Sequence, residues 1–467
     1  MNKKLVLFEL NEVPFKVIEF FVKARPQSTL ARVLPLSSKY QTYSEDRGHL
    51  SPWVTWPTLH RGVTDEQHCI GDFGQPLKDV DQRFPSVWSI LAQHGIQVGV
   101  GGSLHSYPPP ATFENYKFYI PDIFAKEATC WPHSLERFQK FCLDMARESP
   151  KNVSNKVSLK DAVAVLADVP NTGLRAQTLL GVAGQIVSER LQPWKVVRRR
   201  TTQSVLAFDI FLKQLRQTKP EFCTFFTNHV ASAMHRYWLA SFPEDYDEFA
   251  FDEDWRSTYA GEILYAMQQA DQMIDALVKF VDENTDYSLV IASSMGQHAV
   301  RTEPVETLTY ATEPEKFMAA LGVAKSGWES LPAMFPQLNV RITDGLLAFM
   351  EKLGTVRIAG KPLVFRPAAD GFVSIDFGQE NLGAFQVTLD GRERVAAELG
   401  LSNVEIQDKT GVTAYHIPEG SMITYRKGAP PASGTPQVST LDVCPAILRN
   451  YSIKVPAYMS ASTALEL

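Results

Sequence analysis

No stretch of this 467-residue sequence approaches the run of about 20 apolar residues needed to cross a bilayer. Positive charge is not in excess either. The 46 Lys and Arg are outnumbered by 52 Asp and Glu, giving a formal net charge of -6. This excludes a general nucleic-acid binder, which needs surplus cations to displace counterions from phosphates. Cysteine is scarce: the five residues Cys69, Cys130, Cys142, Cys223 and Cys444 are odd in number and form no close pairs. That spacing argues against a zinc-thiolate site and for a reducing, cytoplasmic setting. The N-terminal MNKKLVLFEL turns polar at Glu9, Asn11 and Glu12 before a secretory leader core could form, so it reads as a buried first strand.

What is present is an alternation of strands and helices. LVLFEL, IQVGVGG (Ile96 to Gly102), FCTFFTNH, YSLVIASS and MITYR are short, apolar and rich in branched or aromatic residues, and each ends in small or polar ones. FPSVWSILAQHG and the segment Tyr259 to Val281 carry apolar residues at helical spacing. The expected fold class is therefore α/β, a mainly parallel central sheet with helices on both faces. Residues 1–117 and 219–467 are expected to form this core, and residues 118–218 a largely helical, strand-free insertion that caps one edge. Residues 303–379, with a helix ending near Lys352 and Pro-rich turns, would add a second cap-like wall.

Ligands bind beyond the carboxyl ends of strands in open α/β sheets, and the chemistry-bearing residues cluster after the strand-like runs. Thr55 lies in WVTWPT between Pro52 and Pro57, which stiffen the backbone and argue against a mid-helix position. Its hydroxyl could serve as a nucleophile. Alternatively, Thr55 or Thr58 is a helix N-cap. His229 and His235 flank an alanine-rich stretch, and His416 precedes a turn at Pro418 and Gly420. These are imidazoles that could bind metal if they converge, or structural side chains if they do not. The basic run from Lys195 to Arg200 reads first as a solvated helix face, and otherwise as a contact for an anionic substrate.

Taken together and in order, these segments resemble the alkaline phosphatase superfamily, in particular its type I phosphodiesterase and nucleotide pyrophosphatase branch. In that family the first strand ends in Asp-Gly. A Thr in a T-x-P turn, followed by Gly and His-Gly-Ile, supplies the nucleophile. An Asp with a nearby His, then Ser-Asp-His-Gly, then a His before Pro-x-Gly and a D-x-x-P-T-x-L helix complete the pattern. Thr55-Trp56-Pro57, Gly62 and His68-Cys69-Ile70 match the second element. His416 with Pro418 and Gly420, followed by Asp442, Pro445, Ala446 and Leu448, matches the last. The resemblance implies the fold expected above and an ester-transfer site with Thr55 as nucleophile and His235 and His416 as catalytic or metal-binding residues.

The departures bear on the cofactor. Asn11 and Asn228 stand where the family has aspartates, and Ser294 and Met295 replace Asp and His of Ser-Asp-His-Gly. These changes remove the carboxylate charge that would neutralise two divalent ions. The expectation is a single-metal or metal-depleted site: one divalent ion, zinc or similar, on His235, His416 and Asn11, or none. Asn11, Asn228, Ser294, His229 and His298 would meet a small anionic substrate, and Glu9, Glu12, His229 and His298 are the available substitute ligands. Three functions are open: phosphoester or related ester hydrolysis or transfer by Thr55, a noncatalytic binding or scaffolding role on the retained fold, and metal-independent group transfer with histidines as acid and base. No membrane span and no nucleic-acid partner are expected.

Overall fold

The computed structural model describes residues 4–148, 173–406 and 410–467. Its centre is an eight-stranded sheet. The first six of these strands along the chain are β1 (Lys4–Leu10), β2 (Ser38–Tyr43), β3 (Val98–Gly101), β4 (Phe118–Ile120), β5 (Phe222–Thr227) and β6 (Tyr287–Ala292). In space the order is Gln437–Ser439, β2, Met422–Tyr425, β6, β1, β5, β3 and β4. The run from β6 to β4 is parallel throughout, and Met422–Tyr425 enters antiparallel between β6 and β2.

Central strands of a parallel sheet are covered on both faces, so their side chains are apolar in both directions. On β1, Val6, Phe8 and Leu10 join a core formed with helices Phe15–Ala24, Arg199–Thr218, His229–Ser241 and Glu262–Glu283. Leu5 and Leu7 point the other way, into a core with helices Pro52–Arg61, Val87–Gln93 and Val443–Asn450. The chain is thus an α/β protein with a mostly parallel central sheet flanked by helices.

Two stretches differ from the sequence reading. Phe118–Ile120 is a strand, pairing parallel with β3, where a strand-free insertion was expected; three residues are too few to show a period. Its sequel is helical in the described residues, with Glu136–Glu148 and Ala176–Leu191, but the helix Arg199–Thr218 lies directly on the sheet through Phe208, Phe211 and Leu215. The second stretch, Thr307–Glu405, contains the expected helix, Leu346–Leu353, among short antiparallel strands. It packs around its own apolar centre of Phe317, Val340, Leu353, Val373 and Phe377. The strands span only two to six residues, so each is too short to stand out from the loops around it.

The basic run is engaged within the protein. Arg198 pairs with buried Glu262 at 2.6 Å, Arg199 pairs with Glu189 at 2.7 Å, and Lys195 lies over the Trp194 ring. Among the described residues no helix is long and apolar enough to cross a membrane.

Candidate active site

The parallel strands β1, β5 and β6 end side by side, and the segment leaving each carries polar side chains into one region. Ser293, just past β6, staples the exit of β1: its hydroxyl donates to Leu10 O and accepts from Val13 N. Between those two residues the chain turns sharply. Glu12 sits there with φ of 61°, a left-handed conformation that is strained for a residue with a Cβ. It occupies the position at which the pattern described above carries glycine.

Three donor atoms meet at this turn. Glu12 Oε2 is 3.0 Å from His235 Nε2 and 3.4 Å from His416 Nε2. His235 comes from the helix that follows β5. His416 comes from the strand Ala414–Ile417, which pairs antiparallel with β7 (Gly296–Ala299) so that His416 faces Gln297. Each imidazole is oriented by a backbone carbonyl: His235 Nδ1 donates to Ala414 O at 2.8 Å, and His416 Nδ1 donates to Leu50 O at 2.7 Å. A carbonyl can only accept, so each Nδ1 carries a proton, and both Nε2 atoms are turned to the carboxylate.

Burial opposes ionisation of Glu12. The charges of His416 and His235, and their hydrogen bonds, outweigh it and hold the carboxyl well below the usual carboxylate range. Burial likewise opposes charging of His416, but Glu12 outweighs it and raises the imidazole above its ordinary value. Two amides hold the carboxylate in place: Asn11 Nδ2 donates to Oε1 at 2.7 Å, and buried Gln297 donates to Oε2. Among the described residues the Gln297 oxygen has no partner.

The donor chemistry fits a divalent ion. Two imidazole nitrogens and a carboxylate oxygen lie within 4.8 Å of one another, which is a facial set of the kind that zinc and its neighbours accept with positions left open. The outer Nδ1–H···O=C contacts are those that metal-binding histidines use to fix tautomer and direction. Asn11 is not part of this set. Its oxygen accepts from Trp56 Nε1 at 2.7 Å and its amide also donates to Asn228 Oδ1 at 2.6 Å.

Thr55 lies within the helix Pro52–Arg61, and not at a turn or a cap. Pro52 takes the first turn, where no amide hydrogen is needed, and Ser51 is the N-cap, accepting from Trp53 N. Pro57 cannot donate to the carbonyl four residues back. That carbonyl, Trp53 O, accepts from His105 Nε2 at 2.9 Å, so the second proline is absorbed without breaking the helix. The hydroxyl of Thr55 bonds that of Ser294 at 2.7 Å, and both side chains are fully buried. Beside this helix Trp53 packs on Phe73 at 4.2 Å, and Phe73 stacks on Phe124 at 3.8 Å.

The remaining candidates lie elsewhere. His229 is buried between Thr227 Oγ1 and Ala266 O, and burial pushes it down to about 4. His298 is exposed on β7, its ring 6.1 Å from Trp238. Glu9 is buried against His60 at 2.8 Å, on the opposite face of the sheet from Phe8. Gln297 escaped the sequence reading. Its only signal was its place directly after the Ser-Ser-Met-Gly segment.

No protein-family model matches the chain, and no curated protein matches it. Among solved structures, the chain is similar to phosphonoacetate hydrolase from Sinorhizobium meliloti 1021 in complex with phosphonoformate. That alignment has 12% identity over 96% of each chain and a TM-score of 0.41. It is also similar to murine ectonucleotide pyrophosphatase/phosphodiesterase 5, at 9% identity over 97% of this chain and 96% of that one, with a TM-score of 0.42.

Proposed function

We propose that the chain is a hydrolase or transferase of phosphoesters or related esters, of the alkaline phosphatase superfamily kind, working with one divalent ion held by Glu12, His235 and His416. The observation that carries this reading is the convergence of two backbone-anchored imidazoles on one buried carboxylate at the carboxyl ends of parallel strands. An ion bound there would act as a Lewis acid on an ester oxygen and lower the pKa of a nucleophilic hydroxyl. The family pattern loses its aspartates at Asn11, Asn228 and Ser294, and Glu12 supplies a carboxylate from the neighbouring residue instead.

In this reading Thr55 is the nucleophile. The helix fixes its backbone, and Ser294 holds its hydroxyl until substrate displaces that contact. Asn11 and Asn228, joined by their amides, line the approach and orient the reacting group through Trp56 on one side and Glu12 on the other. A second reading follows from the complete burial of Thr55: water is the attacking group, and Thr55 with Ser294 only shapes the floor of the site. Metal analysis of protein purified without chelators, joined to a screen of phosphodiester, phosphomonoester and sulfate ester substrates, tests the proposal. Stoichiometric zinc with turnover of one class supports it. Turnover that persists after complete metal removal replaces it with acid–base transfer by His235 and His416, and stable binding without turnover replaces it with a noncatalytic role.

A further inference from the structure

A cleft of about 720 Å³ lies away from the Glu12 site and shares no residue with it. The helix Arg199–Thr218 lines it with Thr202, Val205 and Arg216, and the helix Glu262–Glu283 with Gln268, Gln272 and Lys279. Residues 24–29 and the start of the helix Ala176–Leu191 supply the other walls. The first two helices lead into β5 and β6, so Arg216 and Lys279, near the helix ends, stand toward the amino ends of those strands. Glu12, His235 and His416 meet at the opposite, carboxyl edge.

The walls are tied together, and the ties occupy the carboxylates. Asp271 accepts from Thr29 N at 3.0 Å and from Leu30 N at 2.7 Å. Asp275 accepts from Thr29 Oγ1 at 3.0 Å and pairs with Lys279 at 2.6 Å. On the other wall Arg175 pairs with buried Asp209 at 2.6 Å. Asp271 and Asp275 are the only acidic residues in the lining, against four cations.

Two of those cations stay uncompensated. Arg25 donates to the neighbouring Ala24 O at 3.1 Å, and among the described residues no carboxylate pairs with Arg25 or Arg216. The amides of Gln177, Gln268, Gln269 and Gln272 also line the cleft, and among the described residues none of the four makes a hydrogen bond. The lining thus offers two guanidinium forks that match the oxygens of a phosphate. It also offers four groups that both donate and accept, as hydroxyls require. An apolar ligand would strip water from these groups and return nothing. The volume suits a small molecule.

We propose that this cleft is a binding site for a phosphorylated sugar or polyol, with its phosphate on Arg25 and Arg216 and its hydroxyls on the glutamine amides. The inference is independent of the metal reading.

The test is calorimetric titration of the full chain, treated with chelator, with glucose 6-phosphate, myo-inositol 1-phosphate, glucose and inorganic phosphate. The parent is expected to bind at least one of the two phosphorylated compounds, roughly tenfold or more tighter than glucose or inorganic phosphate. Arg25→Gln with Arg216→Gln should weaken that binding by roughly tenfold or more. Gln268→Ala with Gln272→Ala should weaken it while leaving inorganic phosphate within about twofold. Glu12→Gln should leave it unchanged, and the arginine and glutamine variants should keep the parent melting temperature, because the replaced groups hold no other element in place. Hydrogen exchange of the parent reads the same site without substitution, with ligand protecting residues 177–182 and 268–279. A parent that binds neither phosphorylated compound, or inorganic phosphate that binds as tightly as both, overturns the proposal. So does an arginine variant that binds like the parent, or protection confined to the segments that carry Glu12, His235 and His416.

Discussion

Thr55 Oγ1 and Ser294 Oγ lie 2.7 Å apart, a hydroxyl pair sealed from solvent where the family pattern places a nucleophile and a metal-binding carboxylate. Neither partner is a base, so Thr55 is not activated by its own hydrogen bond. On the nucleophile reading, Thr55→Ser retains part of the activity and Thr55→Val removes it, by about 10²-fold or more, with the protein still folded. Single-turnover assays on a substrate from the screen check this. Full activity in Thr55→Val makes water the attacking group.

Glu12→Gln is expected to lower zinc affinity by about two orders of magnitude, more than loss of an outer-shell partner costs, because it removes the only carboxylate among the three donors. The parent should hold no more than one tightly bound ion per chain. Competition against a chromophoric chelator gives both values, and two tightly bound ions in the parent would show that further side chains act as ligands.

Gly296 is a steric requirement of the same site. A Cβ at this position would fall inside contact distance of the Glu419 carbonyl oxygen and close to Pro14. Because β7 carries the strand that presents His416, Gly296→Ala should cost about 1–3 kcal/mol in stability and weaken zinc binding together with it. Thermal unfolding and zinc titration of the variant check the pair of effects.

Acid should destabilise the fold through three buried histidines outside the site. Burial pushes His68 and His105 down to about 3, and His229 to about 4. His68 is fixed as neutral, with Nδ1 accepting from Ile70 N and Nε2 bonded to Thr58 Oγ1. Unfolded, each takes a proton below about pH 6.5; folded, it stays neutral to a lower pH. The unfolded chain therefore binds more protons in this window. Stability is complete above about pH 6.5 and falls as pH drops toward the folded values, by at most about 1.4 kcal/mol per pH unit for each histidine. Denaturant midpoints from pH 7 down to 4 check this, and His229→Asn should flatten the slope.

The arrangement of the sheet was legible in the sequence because its cause is local. β1, β5 and β6 are continuous apolar runs of the kind buried on both faces, and polar residues after each run mark a strand end. Thr55, His235 and His416 stood out for the same reason, as polar groups at fixed offsets from strands or prolines. Glu12 and Gln297 did not. Glu12 matters because a left-handed turn aims its carboxylate at imidazoles far along the chain, and Gln297 because β7 pairs it with His416. Thr55 looked unsuited to a helix because two prolines flank it; the helix stands because His105, from a distant loop, accepts the role of the missing amide at Trp53 O. Local chemistry fixes which side chains are available at strand ends. Pairings across the sheet decide which of them meet, because each depends on register, backbone hand and partners that lie next to one another only in the folded chain.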